Sequence, residues 1–148
     1  ELAILERMAK TASNASAQPV LSCAEIMALR QQVDAVHMAP RLRDYVLDLV
    51  IATRPGEDAE LRFVKRETLA DITELIDCGA SPRATLALVL AGKAHALLNG
   101  RSHVVPHDIQ ACAPAVIAHR LLTSFEADAQ KVTARDIVAQ LLDLVPAP

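Results

Sequence analysis

Apolar positions along this chain recur mainly at helical spacing, and Pro, Gly and small polar residues divide them into segments. Leu2, Leu5, Met8, Ala9 and Ala12 form a first stripe, which TASNASAQP interrupts. The next segment opens at Ser22-Cys23-Ala24-Glu25, where a serine hydroxyl and a glutamate carboxylate can satisfy amides left open at a helix start. Ile26, Leu29, Val33 and Val36 follow as its apolar stripe. Pro40 suits a first helical turn, and Leu42, Tyr45, Val46, Leu49 and Val50 give that helix a buried face up to Pro55-Gly56. The charged, weakly periodic segment 57–66 reads as a loop. A helix is predicted over 67–78, with Leu69, Ile72, Leu75 and Ile76 inward and Gly79 as its stop. Ser81-Pro82 supplies a capping serine and a first-turn proline, and the Ala- and Leu-rich run 83–99 predicts the central, most buried helix. A shorter helix from Pro106 is expected to break at Pro114, a further segment covers 115–122, and the last helix starts at Thr133 with Asp136 as its capping partner.

Three helix starts resemble one another: Leu21-Ser22-Cys23-Ala24-Glu25-Ile26, Val104-Val105-Pro106-His107-Asp108-Ile109 and Val132-Thr133-Ala134-Arg135-Asp136-Ile137. Each places an apolar residue before the cap and an acid near the third helical position, which is repeated capping chemistry and not a duplicated domain. Val105 departs from the pattern because it cannot accept an amide hydrogen bond. Asp108 can compensate in part through the helix dipole.

Composition narrows the fold. The chain has 148 residues, enough for one domain or for one domain with an appended arm, with 52% hydrophobic and only 2% aromatic residues. With 4 glycines and scattered β-branched residues, it reads as an all-α helical bundle with a core of Leu, Ala, Val and Ile. The exception expected is a very short β pairing near 103–105 and 131–133. A net charge of -3 gives no general attraction to nucleic acid or to an anionic membrane. The longest apolar run, 86–91, is far below the roughly 20 residues of a membrane-spanning helix, so no membrane insertion is expected. Cys23, Cys78 and Cys112 form neither an even framework nor a C-x-x-C pair, which fits a reducing compartment such as the cytoplasm. The opening residues ELAILERMAK show no initiator Met, no basic flank before a long apolar run and no cleavage site, and read as the middle of a larger protein.

Candidate chemistry is sparse. His103 and His107 have the i, i+4 spacing of a zinc helix, but Pro106 intervenes and no third ligand follows at a metal-site spacing, so no metal is expected. A Cys-His nucleophile built on Cys78 or Cys112 has no supporting signature. No G-x-x-x-x-G-K-[ST] loop and no strand ending in paired acids is present, so this chain alone should not hydrolyse ATP. The sharpest feature is Gly79-Ala80-Ser81-Pro82-Arg83-Ala84, where a short turn leads into a helix whose first turn carries a guanidinium beside open amides. Helix N-termini attract anions, and the arginine fork suits phosphate oxygens. The residues alone leave two roles for Arg83: anion ligand, or ion-pair partner of Asp77 or Glu74.

GASPRATLAL, the upstream DYVLDLVIATR, the leading PVLSCAEIMALRQQVDAVHMAP and the downstream run from LLNGRSHVVPHDIQ to the end together resemble the C-terminal lid of MoxR-family AAA+ ATPases, in the same order and over nearly the whole chain. The resemblance implies a helical lid over 19–148, preceded over 1–18 by the end of a helix and a linker from an ATPase core. It implies that Arg83 is the second-sensor arginine approaching the γ-phosphate of ATP, with Gly79, Ser81 and Pro82 shaping the approach. Arg54 of the ATR motif, and the pair His119-Arg120, then read as structural or interface residues. The same resemblance implies ATP and Mg2+ in the full-length protein and none held tightly by this chain itself. It further implies a hexameric homo-oligomeric ring, von Willebrand factor A-type partner proteins, and a chaperone-like remodelling role. Val105 and His107 depart from the family's pattern of a polar cap and an acid at those positions. The alternative reading is a stand-alone helical protein–protein interaction module.

Overall fold

The computed structural model describes residues 1–3, 18–56 and 60–148. The first apolar stripe, apart from Leu2, lies outside the described residues, as do positions 57–59 of the charged segment. Helix α1 (Cys23–Ala35) begins with the expected capping box: the Ser22 hydroxyl accepts from the Glu25 amide and the Glu25 carboxylate accepts from the Ser22 amide at 2.7 Å. Its apolar stripe does not enter the core. No residue of α1 is buried, and Ile26, Met27 and Leu29 are 47%, 57% and 40% exposed. Burial starts at Val36 and Met38, where the chain turns into α2 (Pro40–Ile51). That helix buries Leu42, Tyr45, Val46, Leu49 and Val50, the face expected from the sequence.

The helix expected over 67–78 is replaced by three short pieces: a 3-10 turn (Arg66–Leu69), one turn of α3 (Ala70–Thr73), and strand β1 (Ile76–Cys78). Leu69, Ile72, Leu75 and Ile76 are nevertheless all buried, because the spacing of apolar residues suits a tightening turn followed by a strand as well as it suits a helix. β1 pairs antiparallel with β2 (Leu122–Thr123), Ile76 facing Thr123 and Cys78 facing Leu122. The β pairing therefore does not join 103–105 to 131–133. His103 instead forms an isolated parallel bridge with His37, through His37 N to Ser102 O and Val104 N to His37 O, both 2.9 Å. Residues 131–132 are committed elsewhere: Lys131 takes the left-handed conformation at φ 59° after the short helix that ends at Gln130, and the Val132 amide donates to Ala127 O.

Helix α4 (Pro82–Leu98) is the central element, in contact with α1, α2 and the helix that follows it. It buries Ala84, Leu88, Gly92 and Ala96, one residue per turn. A Cβ on Gly92 would lie 2.5 Å from Ile109 Cδ1, so the missing side chain is what lets α5 (Pro106–Ile117) approach so closely. The expected break at Pro114 does not occur. Pro114 only lacks a donor, and the buried Ala113 and Ile117 on either side hold the helix against the core. After a 3-10 turn (Ala118–Arg120) and β2, a short helix that the apolar pattern did not reveal, α6 (Phe125–Gln130), starts where Ser124 Oγ accepts the Ala127 amide. α7 (Ala134–Leu144) starts at the Thr133–Asp136 capping box and buries Ile137, Val138 and Leu141. The fold is an all-α bundle with one two-stranded ribbon.

Candidate functional site

The loop between β1 and the first turn of α4 carries the residues singled out by sequence. Ser81 occupies the N-cap position at φ -75°, ψ 168°, but its hydroxyl makes no capping hydrogen bond. Pro82 fills the first helical position, and Ala84 is fully buried. Between them Arg83 is exposed. Among the described residues it forms no ion pair with Asp77, Glu74 or any other acid. Of the two roles open to Arg83, the local ion pair is thus not the one realised. What remains is a guanidinium beside an uncapped helix N-terminus, a combination that attracts anions.

The end of α2 holds this loop in place. The buried Thr53 hydroxyl donates to Val50 O at 2.6 Å and accepts the Ala80 amide at 2.9 Å, while Arg54 Nε donates to Ala80 O at 2.8 Å. Both backbone groups of Ala80 are therefore bound by consecutive residues. Gly79 is not a helix stop, as the spacing suggested, but a point of close approach: a Cβ there would sit 2.3 Å from Thr53 O and 2.8 Å from Arg54 Cα. Arg66 Nη1 in turn donates to Arg54 O at 3.3 Å. Arg54 thus braces the loop from the end of α2. Thr53 lies inside the ATR motif, but nothing in that motif announces a partner 27 positions away.

His119 and Arg120 lie at the other end of α5. His119 Nδ1 is 3.0 Å from Ala115 O, Arg120 Nη1 donates to Val116 O, and the same nitrogen lies 2.6 Å from His119 Nε2. These bonds stay within one turn and fasten the carbonyls that end α5.

A second polar centre gathers at Asp108, whose sequence position marked it only as a helix-dipole partner. The Asp108 carboxylate, 0% exposed, receives Arg101 Nη1 and Nη2 at 2.5 and 2.7 Å, the Val105 amide at 2.8 Å and His95 Nδ1 at 2.6 Å. The Arg101 guanidinium first, then the Val105 and His95 donors, hold this carboxyl well below the usual carboxylate range. Asp108 thereby supplies the half of the capping box that Val105 leaves available. Burial, with the Asp108 charge nearby, pushes the Cys112 thiol up and away from the thiolate a nucleophile needs. Among the described residues no group of three His, Cys, Asp or Glu side chains could hold a metal ion.

Comparison with known proteins places this arrangement. Residues 68–141 match the AAA lid domain family. The chaperone MoxR1 of Mycobacterium tuberculosis is 30% identical over all 148 residues, which cover 37% of its length. Protein MoxR of Paracoccus denitrificans is 42% identical over 88 residues, 60% of this chain and 25% of that protein. A crystal structure from Cytophaga hutchinsonii, assigned as an ATPase, superposes with a TM-score of 0.81 at 30% identity over 99% of this chain and 42% of its own. The chain thus spans less than half the length of the relatives it matches. It belongs to the AAA lid domain family, as a lid of the MoxR type of AAA+ ATPase.

Proposed function

We propose that this lid closes over ATP and Mg2+ held by an adjoining α/β core, with Arg83 as the residue that approaches the γ-phosphate. The observation that carries this reading is an exposed arginine without an ion-pair partner among the described residues, set at the start of the central helix on a loop braced from below. Closing the lid would give that guanidinium its missing anionic partner, and loss of the γ-phosphate would release it. The energy of that exchange would drive chaperone-like remodelling of partner proteins, including von Willebrand factor A-type partners, by a cytoplasmic homo-oligomeric ring. Residues 1–18 would bring the chain out of the core and 19–148 would form the lid. The chain aligns with less than half of each relative that it matches over its full length, which favours a lid within a larger ATPase over a stand-alone interaction module.

Replacing Arg83 with Ala in the full-length protein tests this directly. The substitution removes no hydrogen bond or ion pair among the described residues, so the melting temperature should stay at the wild-type value while kcat/KM for ATP falls by about tenfold to a hundredfold, as expected when one charge-assisted phosphate contact is lost. Wild-type ATP affinity and turnover in that variant would rule the assignment out.

A further inference from the structure

We propose that Thr53 and Arg54 are positioning residues for Arg83, acting on it through Ala80; this rests on the nucleotide-facing role of Arg83. Ala80 stands three residues before Arg83 and is fully buried. Its amide is bound by Thr53 Oγ1 and its carbonyl by Arg54 Nε, while the Gly79 Cα rests against the backbone of the same two residues. The Thr53 hydroxyl is itself anchored to Val50 O in the last turn of α2. From Ala80 onward little freedom is left: Pro82 has its φ fixed by its ring, and Ala84 is buried on the core side of α4. The chain of contacts α2, Thr53-Arg54, Ala80, Pro82 therefore sets where the Arg83 Cα stands, leaving only its side chain to move.

Such a brace matters beyond stability because phosphate contacts are made at hydrogen-bond distances. A displacement of about 1 Å by a residue remote from the reacting atoms can lower a rate about a hundredfold. The Ser81 hydroxyl makes no bond to α4, so the helix start lacks the side-chain cap that would otherwise fix its own first turn. The hold on Ala80 takes over that task from outside the helix. Thr53 suits it because one buried hydroxyl donates to Val50 O and accepts from the Ala80 amide at the same time. Arg54 suits it by reach, its side chain crossing from the end of α2 to a carbonyl 26 positions ahead.

The test is a double-mutant cycle in the full-length ATPase. Thr53→Val keeps the side-chain shape and removes the hydroxyl. It should lower kcat/KM for ATP by about tenfold or more, and Thr53→Ser should restore it. In the Arg83→Ala background, Thr53→Val should cause no further loss, because a brace has nothing left to position. Losses that multiply across the two backgrounds would mean that Thr53 only stabilises the fold, and would overturn the proposal, as would wild-type turnover in Thr53→Val. Arg54→Ala, which removes the other hold on Ala80, is put through the same cycle and decides the matter if Thr53→Val does not fold. The Arg83→Ala arm separates the two readings: without an effect of its own, the nucleotide-facing role itself falls. With an effect that simply multiplies, only the positioning role does.

Discussion

A Cβ on Gly79 would stand 2.3 Å from Thr53 O and 2.7 Å from Thr53 C, closer than a side-chain carbon approaches backbone. Beside a polar turn this residue resembles a helix stop, yet its φ is not left-handed, and what requires glycine is the backbone of Thr53 and Arg54 pressed against its Cα. Because the obstructing atoms are main chain, they cannot rotate aside as a flexible side chain would. Gly79→Ala should therefore force the β1–α4 loop off the end of α2 and lower stability by about 2 to 3 kcal/mol, the upper part of the range for overpacking. Gly100→Ala is the contrasting case. It stands at φ +71° with nothing within 4 Å of its Cβ direction, so only backbone strain opposes the change, about 1 kcal/mol. Urea unfolding midpoints of the two variants should rank accordingly, and equal midpoints would show that the close approach costs nothing. The place of Arg83 in a first helical turn was legible, since a Ser-Pro helix start announces it without any tertiary knowledge. Its brace was not: Thr53 and Ala80 are brought together only by folding, and neither residue type signals a hydrogen bond in advance.

Helices α2, α4 and α7 were legible from period and punctuation because each has both a start signal and an apolar face that meets the core. The segment 66–78 was not, because its strand is defined by a partner more than forty positions further on, and helical spacing alone cannot see a long-range ladder. The two capping boxes on α1 and α7 are alike in sequence but differ in what they support. α1 buries none of its residues, whereas α7 buries Ile137, Val138 and Leu141. Losing a serine or threonine cap costs about 1 kcal/mol of helix stability in either place. In α1 that loss should appear as local fraying, because the helix can open without exposing core. In α7 it should be felt by the whole domain. Ser22→Ala is thus expected to speed amide hydrogen exchange across α1 while leaving the global unfolding midpoint unchanged, and Thr133→Ala to lower that midpoint. A global shift from Ser22→Ala would mean that α1 is coupled to the core more tightly than its exposure implies.

At the scale of the molecule, the Asp108 carboxylate is where the central helix, the loop after it and the start of α5 are joined. His95 reaches it from α4, Arg101 from the loop and the Val105 amide from the helix it begins. The sequence offered Asp108 only as a helix-dipole partner, since nothing in the spacing of 95, 101 and 108 tells that all three converge. Its buried position and charged donors have a consequence for acid stability. The folded protein binds a proton at Asp108 more weakly than the unfolded chain does, because Arg101 and the other donors favour the ionised form. The stabilisation is therefore complete above the ordinary aspartate value of about 3.9 and is lost as the pH falls below it toward the depressed folded value. Asp108→Asn removes the charge that Arg101 needs. It should cost about 3 kcal/mol at pH 7, the lower end of the range for breaking a buried pair, because the Arg101 side chain can still reach water. The variant also has no carboxylate left to protonate at this position, so its stability should fall less on acidification. Urea midpoints measured from pH 7 to pH 3 should show the gap between wild type and Asp108→Asn narrowing as the pH drops. A gap that stays constant over that range would place the acid sensitivity of this domain at some other carboxylate.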